Sequence, residues 1–173
     1  MVSSGGGNVV ARALVMGIVA GLRSQLPFAL MALAARQGRF AQCEPGRLRH
    51  LRDDRVALAL GASAGGEIVV DKMPFVPSRL QPGPLSGRVV IGGAAGAALA
   101  KEAGNPVGTG AAAGAVGGLL GSLAGYWGRR LAGQATRLPD PVVAVVEDAI
   151  GIWLGWAALT RGGWGNSRCR DDD

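Results

Sequence analysis

Charged residues inside or at the borders of otherwise apolar stretches include Arg23, Lys72 and Arg88 against Glu67, Asp71, Glu147 and Asp148. Glu67 and Asp71 are four apart, so on a helix they share one face. Glu147 and Asp148 are adjacent, so at most one of them can meet that face from a second helix. Carboxylates from two facing helices can bind a cation through oxygen ligands or relay protons. They can equally serve only to neutralise the three basic residues, a balance of three positive charges against four negative. Arg23 sits about mid-way along its apolar stretch, beside Ser24, Gln25 and Pro27. That run fits a broken helix whose freed backbone lines a cavity, as in a transporter site. It also fits a structural ion pair from Arg23 to Glu67 or Glu147. Both readings stand on the sequence.

Other chemistries find little support. His50 is alone in a basic stretch, and Cys43 and Cys169 have no Cys-x-x-Cys partner. No Ser/His/Asp, zinc-ligand or Gly-x-Ser-x-Gly pattern occurs, so no catalytic residue is assigned and no cofactor is expected. Residues 104–110 (GNPVGTG) lack the Lys-Ser/Thr of a phosphate-cradling loop and read as a turn between helices. The net charge of +6 is spread in short clusters between apolar stretches. It forms no basic stripe interleaved with aromatics, so nucleic acid is not an expected partner.

The elements that must position these charges read as helices in lipid. Charged residues are 17% of the chain, aromatics 5%, and glycine occurs 30 times among 173 residues. A soluble core of Ala and Gly would bury little area per helix. Packing in lipid favours those small residues, because they let backbones approach closely. The fold class expected is all-α, a polytopic transmembrane bundle of about five Gly/Ala-rich segments. These are Val9–Ala35, Val56–Met73, Leu85–Ala103, Gly104–Gly128 and Pro141–Thr160. Basic stretches at Arg36–Arg55 and Arg129–Asp140 read as loops, and the proline-rich Pro74–Pro84 as a connector. Residues 1–8 are expected to be disordered, 9–165 to form one membrane domain, and 166–173 a polar tail. Ala13 to Leu22 has the length of a signal-peptide core, but Arg23, Gln25 and Pro27 interrupt it, which favours an uncleaved first membrane segment. The expected location is the cell membrane, with several crossings and the lipid bilayer as the main partner.

Small residues recur at every fourth position: Gly17/Gly21, Gly61/Gly65, Gly92/Gly96, Gly114/Gly118 and Gly121/Gly125. This spacing makes a flat face against which another helix can pack at short range, within the chain or between copies of it. Gly17–Arg23 and Gly121–Arg129 both place glycines ahead of an arginine, which would suit an inverted repeat.

Three stretches together resemble a bacterial domain-of-unknown-function family of small integral membrane proteins. They are Gly21-Leu22-Arg23-Ser24-x-Leu26-Pro27, then Glu67-x-x-x-Asp71-Lys72-x-Pro74 with Pro77-Ser78-Arg79, and Glu147-Asp148. The resemblance runs from about Val10 to Leu159. It implies a polytopic helical membrane protein and groups Arg23, Glu67, Asp71, Lys72, Glu147 and Asp148 as one intramembrane cluster. It implies no activity, substrate or cofactor. The functional expectation is a small transporter or channel-like protein. The alternatives are a non-catalytic membrane scaffold and a metal-dependent enzyme acting on lipid head groups.

Overall fold

A computed structural model describes residues 4–37, 53–70, 81–135 and 140–160. Six helices make up these residues, and no strand occurs among them: α1 Ser4–Leu22, α2 Leu26–Arg36, α3 Asp54–Val70, α4 Pro82–Glu102, α5 Val107–Ala135 and α6 Asp140–Thr160. The first apolar segment is thus two helices, with the chain non-helical only at Arg23–Gln25. Pro27 near the start of α2 lacks the N–H that a continuous helix would need there, so a new helix begins instead. α1 itself starts at Ser4, within the Ser/Gly-rich opening.

Several helix bounds differ from the sequence expectation, among them the start of α3, both ends of α5 and the start of α4. Pro82 and Pro84 belong to the first turn of α4, where missing N–H groups cost nothing, so the helix starts earlier than Leu85. α5 runs through Arg129 and Arg130 to Ala135, where a loop was expected. Its charges leave sideways from the helix, and no proline interrupts the chain before Pro139.

The turns follow local chemistry. Asp53 caps α3, its Oδ1 accepting the N–H of Arg55 at 2.8 Å. Between α4 and α5 the chain reverses through Gly104 at φ 66°. The N–H of Asn105 reaches Ala100 O at 2.8 Å, and that of Gly104 reaches Lys101 O at 3.2 Å. This pair of bonds is a Schellman ending, which favours glycine at the left-handed position.

α1, α4 and α5 form the centre. Successive contacts run Gly17 to Gly114 and Gly21 to Gly118, so α1 and α5 are parallel. Gly92 meets Gly114 while Gly96 meets Gly110, so α4 is antiparallel to both. The parallel course of α1 and α5 removes the inverted repeat suggested by their glycine–arginine stretches. α6 lies antiparallel along α1 and also touches α2, and α3 packs on α2 at the edge. An apolar core of Met16, Val19, Leu26, Leu30, Met31, Leu99 and Leu159 fills the space among α1, α2, α4 and α6.

Beside this apolar core, some charged side chains are buried and some large apolar ones exposed. Arg12, Arg23, Arg88 and Asp148 are buried, while Val116, Leu119, Leu120, Val145, Val146, Ile150 and Trp153 are exposed. Two helical stretches, Val107–Ala132 and Val142–Thr160, are long and apolar enough to cross a membrane.

Candidate functional site

The site is built where α1 stops. Helix ends leave four carbonyls without intrahelical partners, and here they lie inside the bundle. Arg23 N–H still reaches back to Val19 O at 2.8 Å. Gly21 O accepts from Arg88 Nη1 of α4 at 3.1 Å, with Ser122 Oγ of α5 3.4 Å away. Ser122 Oγ also donates to Gly118 O at 2.8 Å. A cation beside the negative end of a helix is favourable, and Arg88 supplies one from a neighbouring helix.

Arg23, only 1% exposed, turns its guanidinium to α6 and donates from Nε to Asp148 Oδ1 at 2.5 Å. The adjacent carboxylate, Glu147, points elsewhere and accepts from Arg129 Nε at 2.7 Å. One helix therefore offers two neighbouring acids to two different partners. Eleven residues before Arg23, close to three helical turns, Arg12 occupies nearly the same face of α1. It donates from Nε to Ala158 O at 2.6 Å, satisfying a carbonyl in the last turn of α6. α1 and α6 are thus tied at two levels, ~16 Å apart at ~1.5 Å per residue.

Of the six residues grouped by the sequence, Arg23 and Asp148 meet directly. Glu147, next to Asp148 in sequence, is engaged by Arg129. Glu67 belongs to α3, and its side chain lies outside the described residues, as do Asp71 and Lys72 altogether. Among the described residues no three His, Cys, Asp or Glu gather where a metal could be held. Arg12 and Arg129 were not singled out. The spacing of eleven between Arg12 and Arg23 was the available signal for the first. The second was hidden by reading residues 129–140 as a loop.

The glycines set the distances. A Cβ on Gly92 would lie 2.6 Å from Gly114 O and 3.3 Å from the Cα of both Gly17 and Gly118. Added to Gly17, Gly21, Gly96, Gly114 or Gly121, a Cβ would also strike the backbone of a neighbouring helix. Gly118 faces Arg88 O at 2.7 Å in the same sense, and Gly125 is buried further along α5. Gly61 and Gly65, on α3, would meet nothing within 4 Å.

The arrangement is suited to holding charge. Neither pair resembles a nucleophile with its base.

A model of the family described as Domain of unknown function (DUF4126) matches residues 10–161. No curated protein and no solved structure matches the chain.

Proposed function

The chain belongs to this domain-of-unknown-function family, and we propose that it is a multi-pass protein of the cell membrane acting as a small transporter. The observation that carries this reading is the buried Arg23–Asp148 pair at an interrupted helix. Interrupted helices place polar backbone where it can serve a solute, and ionisable groups at membrane depth usually line such paths. The Gly-packed α1, α4 and α5 form the fixed part. α6 reaches that part through side chains of α1, Leu22 against Gly151 and Val19 against Gly155, and can shift by exchanging them. The bilayer covers the exposed apolar faces of α5 and α6.

The test uses the purified full chain in liposomes, with proton, chloride and phosphate flux read against empty vesicles. The reading expects flux in the wild type, and its loss in whatever Asp148→Asn or Arg23→Gln protein reconstitutes folded. A second reading, the membrane scaffold, is favoured by the pairing of Glu147 and Asp148 of α6 with Arg129 and Arg23. It expects no flux from the wild type itself.

A further inference from the structure

We infer that the end of α5 beyond Trp127 binds the phosphate of an anionic phospholipid. The inference rests on the membrane reading above, because it needs a bilayer surface at that level. From Val107 to Trp127 is twenty residues, which at ~1.5 Å each gives ~30 Å, about the thickness of the hydrocarbon core. Along this length Val116, Leu119, Leu120 and Trp127 are exposed on one side of the helix. Spacings of four, seven and eleven keep Val116, Leu120, Trp127 and Leu131 within one stripe.

The same stripe turns basic at its end. Arg129 is directed inward to Glu147, whereas Arg130 is exposed and its guanidinium lies 5.7 Å from the centre of the Trp127 ring. Tyr126 meets Trp127 edge-on, with ring centres 5.6 Å apart. Tryptophan and tyrosine favour the headgroup level of a membrane. A guanidinium stacked on such a ring keeps its N–H edge available, and that edge matches the oxygens of a phosphate. An acyl chain can lie along the apolar stripe while its headgroup meets Arg130. Zwitterionic lipid lacks the net negative charge that would complement this end, so the class named is anionic.

The experiment reconstitutes the full chain in an equimolar mixture of phosphatidylcholine and phosphatidylglycerol, re-extracts it in mild detergent and weighs the retained lipid by native mass spectrometry. Wild type should retain phosphatidylglycerol preferentially. Arg130→Gln should lower that preference about fivefold, the factor equivalent to ~1 kcal/mol for one basic residue at an anionic surface. Trp127→Leu should lower it too, while Arg36→Gln, which alters an exposed pair with Asp54, should leave it unchanged. An undiminished preference in Arg130→Gln overturns the inference. So does inorganic phosphate that binds the wild type as well as the lipid does. Protein that stays in carbonate-washed membranes without preferring phosphatidylglycerol overturns this inference alone. Protein that washes off overturns the membrane reading with it.

Discussion

Arg23 and Asp148 hold each other in a place where neither would be stable alone. Removing one partner of a buried pair leaves an uncompensated charge and costs about 3–5 kcal/mol, whereas replacing both with apolar groups of similar size is often neutral. Arg23→Met and Asp148→Leu should therefore each lower the unfolding midpoint in detergent. The double variant should recover most of the loss, and a double variant as unstable as the sum of the singles would show that the two are not coupled. Gly104 carries a separate burden. At φ 66° it adopts a backbone that a Cβ disfavours, so Gly104→Ala should cost about 1–2 kcal/mol. Open space around it means that no steric clash would add to this figure. Thermal unfolding of Gly104→Ala beside wild type measures it directly.

At the scale of elements, α1, α4 and α5 come together because glycine removes the side chains that would keep them apart. Gly114→Val would drive a side chain into the backbone of Gly92. Overpacking costs about 1–3 kcal/mol even where flexible side chains can yield, and backbone yields less, so this variant should lose its folded state. Gly61→Ala on α3 meets nothing and should change stability by no more than about 1 kcal/mol, in the stabilising direction expected of alanine in a helix. Limited proteolysis of both variants in detergent separates the two outcomes. The fourfold glycine spacing was legible in the sequence, but it could not say which repeats face a neighbour, because Gly61/Gly65 and Gly92/Gly96 have the same pattern. The break after Leu22 was legible from Arg23, Gln25 and Pro27. The reach of α5 past Arg129 was not, since a charged helical turn and a charged loop have the same composition.

For the whole molecule, apolar side chains exposed on α5 and α6 lie around a centre that buries Arg12, Arg23 and Arg88. The composition already pointed this way, yet pairing could not be read from it, because Glu147 and Asp148 are equivalent in sequence and differ only in the side from which an arginine arrives. What remains testable at this scale is the exterior itself. Leu120 and Ile150 are exposed near the middles of α5 and α6. If those faces meet lipid, Leu120→Lys and Ile150→Lys each put a charge near the bilayer centre, at about 2.5–3.5 kcal/mol on insertion scales. Both should sharply reduce the protein recovered in carbonate-washed membranes, and the pair together should nearly abolish it. If those faces meet water, the same lysines are ordinary surface substitutions worth within about 0.5 kcal/mol. The protein would then stay folded in the soluble fraction, and the bundle would have to be reread as a water-soluble fold with buried arginine pairs.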